Sequence, residues 1–231
     1  MGYSYNQTTR KIDHGNERLM TNILKETDIW KELRYPVVVA DKERQLDGID
    51  YESEVYGNID AKLVLSCKLQ TFSQELAFLG RDGRWKQGWF SKDNQTDRYL
   101  YIYAEVKGYE DSYYLAKRHF NRDTLNKIQA VLVKKKVLQD VVHETFKSDF
   151  NVYTKSLIKK FKPDLQKMNK IKVDENLNKV HHTDAREKPY VSCSWGKNKF
   201  GKPILPERPV NIIVSRDTLE SIADYVWEIK F

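Results

Sequence analysis

The spacing of apolar residues at the start of the chain predicts one helix followed by extended structure. Residues 16–34 fit an amphipathic helix with Asn16 as its cap. Its apolar side chains recur at near-helical intervals, at Leu19, Ile23, Leu24 and Trp30. Val37 then begins a β-branched run, and residues 46–69 predict a hairpin with its turn around Tyr56, Gly57 and Asn58 and an apolar second strand that enters the interior.

The next segments are strand-like or ambiguous. Residues 71–79 fit a short helix or a strand, because so few residues do not separate the two periods. Residues 88–90 and 97–106 predict strands, the second with Tyr99, Tyr101 and Tyr103 on one face. We expect a helix to cover that face; a row of rings that stacks nucleobases is the alternative.

Helical patterns return after residue 120. Asn121 can cap a helix whose apolar stripe ends at Lys134–Lys136. The stripe consists of Leu125, Ile128, Leu132 and Val133. Residues 153–172 contain seven lysines and one acid, a pattern typical of a solvated helix face.

Prolines and polar residues predict loops over residues 173–208. Residues 210–214 then predict a strand that is apolar on both faces and joins the main sheet. A helix is expected to follow, starting near Ser215 or Asp217.

Composition indicates a folded protein with a basic surface. The chain has 231 residues, of which 40% are hydrophobic and 12% aromatic, enough to bury a core. Its net charge of +7 favours a polyanionic partner. Cys67 and Cys193 lack metal-ligand spacing, and a reducing compartment fits them. Because neither a membrane-spanning run nor the apolar stretch of a secretory signal occurs, we expect a soluble, cytoplasmic protein without a membrane partner.

Asp50, Asp60 and Lys62 are the strongest candidates for chemistry. Side chains two apart on a strand share a face, so Asp60 and Lys62 project together and Ala61 faces away. If the hairpin centres on Val55, residue 50 lies opposite residue 60. Two carboxylates about 4 Å apart repel by roughly 4 kcal/mol at an effective dielectric of 20, so a cation must offset them.

A divalent ion meets that requirement. Magnesium is commonly held by one or two carboxylates together with water and a substrate phosphate, and the Ala61 carbonyl offers a further oxygen. The ammonium of Lys62 would orient a water or stabilise charge on the attacked phosphate, which predicts phosphodiester hydrolysis. An exposed hairpin with an Asp–Lys pair is the simpler interpretation, but the apolar VLSC that follows the three residues disfavours it.

The GID motif at Asp50 and the IDAK motif at Asp60 and Lys62 resemble the PD-(D/E)XK nucleases, with Ile49 where the family's name has Pro. The helix, the hairpin and the segments up to residue 106 resemble small nuclease-like proteins of bacteria and their phages. The resemblance implies a restriction-endonuclease-like fold, in which helices flank a central mixed β-sheet. It also implies an endonuclease of DNA that depends on Mg²⁺, for which Mn²⁺ is expected to substitute.

The same resemblance implies one nuclease-like domain over residues 1–231. Residues 16–110 would be its catalytic core, and residues 111–209 a mainly helical, lysine-rich insertion or extension. Residues 210–231 would be a strand and a helix that return to the core. Restriction-type cleavage of both strands of DNA would require a homodimer, whereas a structure-selective or nicking enzyme would act alone, and the sequence does not choose between them.

Additional candidates surround the central three. The family often takes a third acid from its first helix, for which Glu17 and Glu26 both qualify. Gln74 or Glu75 would line the site if residues 71–79 formed a helix over it. Phosphates of the nucleic acid would be bound by Lys134, Lys135, Lys136, Lys155, Lys159 and Lys160.

Two other functions remain open. One is a nucleic-acid-binding protein without catalytic activity on a nuclease-like fold, and the other is an interaction protein whose charge serves solubility. His181 and His182 match no zinc template and are interpreted as part of a loop. Neither a phosphate-binding GxxxxGK[ST] motif nor a nucleophile elbow is present.

Overall fold

A computed structural model gives the fold and describes residues 5–33, 37–39, 44, 48–80, 84–91, 94–167, 170–180, 188–194 and 208–231. These residues form six helices: α1 (Tyr5–Leu24), α2 (Asp28–Glu32), α3 (Tyr113–His119), α4 (Lys135–Phe146), α5 (Phe150–Lys167) and α6 (Arg216–Ser221). They also form eleven strands: β1 (Val37–Val39), β2 (Tyr51–Ser53), β3 (Gly57–Val64), β4 (Thr71–Leu79), β5 (Trp85–Gln87), β6 (Arg98–Val106), β7 (Leu125–Lys134), β8 (Lys170–Val173), β9 (Tyr190–Ser194), β10 (Arg208–Ser215) and β11 (Tyr225–Lys230). The predicted mixture of helices and sheet, of α+β type, is confirmed. Within this described part, no helix combines the length and the apolar character needed to cross a membrane.

The chain forms two compact units, whereas the sequence predicts a single domain over residues 1–231. The first unit comprises Met1–Gln70, Gln95–Lys136 and Ile222–Phe231, and the second comprises Thr71–Asn94 and Val137–Ser221. Residues 71–94 therefore leave the predicted core at 16–110. The predicted insertion at 111–209 contains strands β7, β8 and β9 in addition to helices α3, α4 and α5.

The first unit is built on a six-stranded mixed sheet in the order β1-β2-β3-β6-β7-β11. Only β3 and β6 run parallel to each other; the other neighbours are antiparallel. One face of this sheet buries apolar side chains with α1 and α2. This core includes Met20, Ile23, Leu24, Ile29, Trp30, Ile59, Leu100, Ile102 and Ala104.

The predicted hairpin is confirmed as β2 and β3. Tyr51 lies opposite Ile59, and Ser53 lies opposite Gly57, so the pairing is centred on Val55 as predicted. Gly57 has a positive φ of 72°, a conformation that glycine adopts without steric penalty. The hairpin register, and with it the position of the acidic residues, therefore depends on this turn.

The N-terminal helix differs from its prediction. α1 begins at Tyr5, so Asn16 lies inside it and donates a side-chain hydrogen bond to the Lys117 carbonyl at 2.9 Å instead of capping a terminus. The helix ends at Leu24, and Thr27 closes the break by donating to the Leu24 carbonyl at 2.7 Å. The apolar period continues across this break into α2, which explains why the sequence alone predicts one helix.

The predicted helix after Asn121 is wrong, because residues 125–134 form strand β7. β7 is an inner strand with β6 and β11 paired to its two edges, and side chains on both of its faces are buried, since Ala130 and Val131 are buried together with the predicted stripe. An apolar strand inside a sheet need not alternate, and its buried positions can imitate helical spacing. Asn121 instead forms a turn, in which its side-chain oxygen accepts from the amides of Asp123 and Thr124.

The second unit is built on a five-stranded sheet in the order β5-β4-β10-β9-β8. Residues 71–79, which fit either element, are strand β4. Residues 88–90 do not form the predicted strand; they turn after β5, where Gly88 donates to the Leu76 carbonyl at 2.8 Å and Phe90 is buried. Residues 173–208 are not all loop, since β9 runs along β10.

The C-terminal prediction is partly confirmed. A strand and a helix occur as expected, in β10 and α6. β10 pairs with β4 and β9, however, so it belongs to the sheet of the second unit and not to that of the hairpin. An apolar strand indicates that it is buried but not which sheet buries it. The strand that does join the first sheet is β11, which the sequence reading did not predict.

The tyrosine row of β6 is buried. Tyr99, Tyr101 and Tyr103 share a face as predicted, and each has 0% of its surface exposed. Bases cannot stack on rings that solvent does not reach. The alternative function for this row is therefore excluded.

Candidate active site

The hairpin brings Asp50 next to Asp60. The Asp50 amide donates to the Ile59 carbonyl at 2.9 Å, which extends the pairing of β2 and β3 by one step. Beyond that point Asp50 Oδ2 accepts a hydrogen bond from the Ala61 amide at 2.8 Å. The side chain thus replaces the backbone as the partner of β3, and its carboxylate is held beside the second acid.

These residues line a cavity of about 950 Å³ at the open edge of β3. Four consecutive residues, 60 to 63, line it. Because successive side chains of a strand alternate between faces, a cavity touched by four in a row must lie at the strand's edge. β2 pairs with that edge of β3 only as far as Tyr51, so the edge is open beyond Ile59. Helix α1 forms another wall of the cavity.

Lys62 and Asp60 form an ion pair in this cavity. The distance from Lys62 Nζ to Asp60 Oδ1 is 2.7 Å. The two side chains project together, as expected from their spacing. Asp60 is 1% exposed, so this carboxylate lies at the bottom of the site while the lysine remains partly accessible.

Burial dominates the electrostatics of Asp60. Loss of hydration raises the pKa of its carboxyl group to about 7, and the charge of Lys62 opposes this effect. The neighbouring Asp50 raises the pKa further, through its charge and because it can accept a hydrogen bond from protonated Asp60. The acid pair therefore carries one proton more readily than two separate carboxyl groups would at neutral pH.

One oxygen of each carboxylate remains available for a cation. Asp60 Oδ1 is bound by Lys62, while the buried Asp60 Oδ2 accepts no hydrogen bond from the described residues. Asp50 Oδ2 is bound by Ala61. Buried anionic oxygens without a donor are costly, and a metal ion is one way to satisfy them.

The donor set fits a small hard cation. Within the described part of the chain, no group of three or more His, Cys, Asp and Glu side chains could hold a metal. Mg²⁺ needs fewer protein ligands, because it retains several waters and often binds only one or two carboxylates. The amide and carbonyl of one strand residue point to the same side, so the Ala61 carbonyl also points toward the open edge.

The structure separates the two candidates for a third acid. Glu17 lies on the α1 wall of the cavity, three residues from His14, with which it pairs at 3.2 Å. Glu26 is not among the lining residues; it pairs with Arg122, whose hydrogen bond lowers the pKa of the Glu26 carboxyl group. Only Glu17 therefore shares the site with Asp50 and Asp60.

Gln74 and Glu75 were expected to line the site only if residues 71–79 formed a helix over it, and this helix does not occur. Residues 71–79 form strand β4 of the second unit and not a helix over the site. Gln74 is fully buried in that strand. Neither residue is therefore part of the candidate site.

The six candidate lysines for phosphate binding differ in exposure. Lys135 is only 7% exposed, so it is unsuited to contact a nucleic acid. Lys134 and Lys136 are exposed in the first unit, and Lys134 lies 3.7 Å from Asp224. On α5 of the second unit, Lys155, Lys159 and Lys160 are exposed, and Lys160 donates to the Leu177 carbonyl at 2.7 Å. His181 and His182 lie outside the described residues.

The polar face of α1 also lines the cavity, which was not predicted from the sequence. Arg18, Thr21 and Lys25 line the cavity together with Glu17. They follow Glu17 at one, four and eight positions, which is the spacing of a single helical face. Thr21 also hydrogen-bonds Tyr51 at 2.8 Å and so joins α1 to the hairpin. The polar side of the predicted amphipathic helix was the available signal.

Comparison with known proteins gives no relative: no family model, curated protein or solved structure matches the chain.

Proposed function

We propose that the protein is a metal-dependent nuclease that hydrolyses phosphodiester bonds, with DNA as the expected substrate, on a restriction-endonuclease-like variant of the α+β fold. Asp50 and Asp60 would hold Mg²⁺, with the Ala61 carbonyl as a further ligand, and Lys62 would act on the phosphate. This assignment rests on the resemblance to the PD-(D/E)XK nucleases and on the geometry of the three residues.

One observation carries the proposal. A buried carboxylate, Asp60, has one oxygen 2.7 Å from an ammonium and a second oxygen that no described residue donates to, next to another carboxylate in a large cavity. A purely structural ion pair gains little from a second acid beside it, because like charges at short range repel. A site that binds a divalent cation requires this excess of negative charge.

Each residue has a role that its contacts support. A bound Mg²⁺ supplies Lewis acidity toward a phosphate oxygen and neutralises charge that develops there. Ala61 and Lys62 each bind one carboxylate oxygen, and thereby orient the remaining oxygens of Asp50 and Asp60. Lys62 is partly exposed within the cavity, and its positive charge next to Asp60 would stabilise negative charge on a phosphate that binds there.

The reaction is the addition of water across a P–O bond. The water oxygen bonds to phosphorus, and the bond to the leaving sugar oxygen breaks. The water gives up a proton, and the leaving oxygen gains one. The positive charge of Lys62 stabilises the additional negative charge on the phosphate oxygens while these bonds change.

A digestion panel tests the proposal. Supercoiled plasmid, duplex DNA, single-stranded DNA and RNA are incubated with Mg²⁺ or Mn²⁺ and with the parent protein, Lys62→Ala or Asp60→Asn. Lys68→Ala is a matched control, because Lys68 pairs with Asp111 on the exposed surface outside the cavity. We expect the parent and the control to cleave, and the other two variants to lose at least about 100-fold in rate.

Two results would overturn the proposal. One is failure of the parent to cut any of these substrates with either metal, and the other is cutting that survives both active-site substitutions. Tight complexes that remain uncut, with affinity that falls steeply with salt, would favour the alternative of a nucleic-acid-binding protein without catalysis.

A further inference from the structure

The α1 wall of the cavity carries two cations that pair with no carboxylate in the described part of the chain. The face of α1 toward the cavity consists of His14, Glu17, Arg18, Thr21, Asn22 and Lys25. Arg18 Nε donates to the His14 carbonyl at 3.4 Å, and the Lys25 ammonium lies 6.0 Å from the centre of the Trp30 ring. Neither forms an ion pair with a carboxylate of the described residues.

Several other cations of the same unit are paired with acids. Lys31 binds Asp28 at 2.8 Å, Lys117 binds Asp13, and Arg122 binds Glu26. Arg118 on α3 also has no carboxylate partner among the described residues, and its charge lies 4.5 Å from the centre of the Tyr114 ring. What distinguishes Arg18 and Lys25 is that they line the cavity that contains Asp50 and Asp60. Cations without counter-charges on the wall of a cavity attract anionic ligands.

The spacing of the two cations suits a phosphate chain. They are seven residues apart, which is nearly two helical turns and about 10.5 Å along the axis. Successive phosphates of one nucleic-acid strand lie several ångströms apart in space, farther than their spacing of about 3.4 Å along a duplex axis, so two cations at this separation can contact two different phosphates of the strand. Arg18 offers a planar fork for a phosphate, and Lys25 offers a compact charge on a flexible stem.

We propose that Arg18 and Lys25 bind two backbone phosphates of one nucleic-acid strand that lies along α1 next to Asp50 and Asp60. This inference rests on the proposed nuclease function and specifies how the substrate is held. Both contacts are to phosphates, so they position the strand without reading its bases. This inference therefore adds the cavity face of α1 to the surfaces expected to bind phosphates.

Binding in the absence of cleavage tests this inference. Asp60→Asn serves as the background, and fluorescein-labelled 20-nucleotide single-stranded DNAs of two unrelated sequences are the probes. Anisotropy gives Kd at several salt concentrations. In this background, Arg18→Ala and Lys25→Ala are each expected to raise Kd several-fold for both sequences and to reduce the slope of log affinity against log salt by about 0.7.

Two matched variants serve as controls. Lys31→Ala removes an exposed helical lysine outside the cavity and is expected to leave Kd and slope unchanged. Arg18→Lys keeps the charge and is expected to retain the slope. Far-UV circular dichroism verifies that each variant is folded.

The outcomes separate this inference from the proposed function. Unchanged slopes in both alanine variants, a loss confined to one base sequence, or no binding by the background protein at low salt would overturn the inference. If the parent cleaves nucleic acid while these slopes stay unchanged, the nuclease function stands and the phosphate contacts fail. If the parent cleaves nothing while the slopes fall as expected, the phosphate contacts stand and the nuclease function fails.

Discussion

The carboxylate of Asp50 accepts a hydrogen bond from the backbone amide of Ala61, with 2.8 Å between Oδ2 and the nitrogen. This contact continues the β2–β3 pairing with a side chain where the backbone partner ends. It holds a negative charge next to the buried Asp60, which repels it. The hydrogen bond from Ala61 thus keeps the two acids together. An asparagine at position 50 would preserve this bond, because its side-chain oxygen also accepts.

The substitution Asp50→Asn should therefore remove the negative charge of residue 50 and keep its hydrogen bond to Ala61. Its side-chain oxygen can still accept from Ala61, so we expect the unfolding free energy to change by less than about 1 kcal/mol. Removal of the neighbouring charge should lower the pKa of Asp60 toward its ordinary value. Carbon-13 NMR of the Asp60 carboxyl group measures this titration, and an unchanged midpoint would show that the two acids do not interact.

Asp60 should make stability fall as the pH rises. Its folded pKa is about 7 and its ordinary value is 3.8, so between these values the folded state binds a proton that the unfolded state has lost. The contribution is complete below about pH 3.8 and disappears as the pH passes 7. A difference of about three pH units corresponds to roughly 4 kcal/mol as an upper limit.

Urea unfolding at pH 5 and pH 8, in the presence of a chelator, measures this effect. The parent should lose stability between the two pH values more than Asp60→Asn does. Asp28→Asn is the control, because Asp28 is exposed and its removal should preserve the pH dependence of the parent. Identical pH dependence in the parent and in Asp60→Asn would contradict the assignment.

Two glycines of the first unit should respond to alanine with opposite signs. At Gly57 the positive φ of 72° and the Asp97 carboxylate leave no room for a Cβ, so Gly57→Ala should destabilise by about 1–3 kcal/mol and disturb the hairpin register. Gly15 lies within α1, where a Cβ would meet no atom within 4 Å, so Gly15→Ala should stabilise by about 0.5–1 kcal/mol. Thermal melting of both variants checks the pair, and a stabilised Gly57→Ala would refute the turn geometry.

Arg98 should be important for the stability of the first sheet. Its Nε binds Asp224 Oδ2 at 2.7 Å, its charge lies 5.1 Å from the centre of the Tyr56 ring, and only 15% of its side chain is exposed. Arg98→Met should lower the unfolding free energy by about 2 kcal/mol, because Asp224 loses its partner in the sheet. The loss stays moderate because Lys134 remains 3.7 Å from Asp224. In urea unfolding, Lys31→Ala removes a solvated pair and should change stability by less than about 0.5 kcal/mol. Equal effects of the two substitutions would contradict this role.

Local patterns were sufficient for the hairpin. The β-branched run after Asn58 and the glycine at the turn fix the pairing, and the period of two then places Asp60 and Lys62 on one face. The convergence of the acids follows from these short-range features. It needs no knowledge of the remaining fold.

Long-range placement could not be predicted in the same way. β7 imitates a helix because side chains on both of its faces are buried, and its neighbour β11, which makes it an inner strand, lies far along the chain from it. The apolar residues of β10 predict burial equally well in either sheet. The contribution of Arg18 and Lys25 to the cavity was missed because it depends on how α1 lies against the edge of β3. Such information is contained in the packing of the chain and not in any window of it.

Calorimetric titration with Mg²⁺ at pH 8, where Asp60 is largely ionised, tests the site most directly. The parent should take up the ion, Asp50→Asn and Asp60→Asn should lose most of that affinity, and Lys62→Ala should retain it because the ammonium is not a ligand. Absence of heat in the parent, or equal uptake by the parent and both carboxylate variants, would contradict a cation site formed by these two acids.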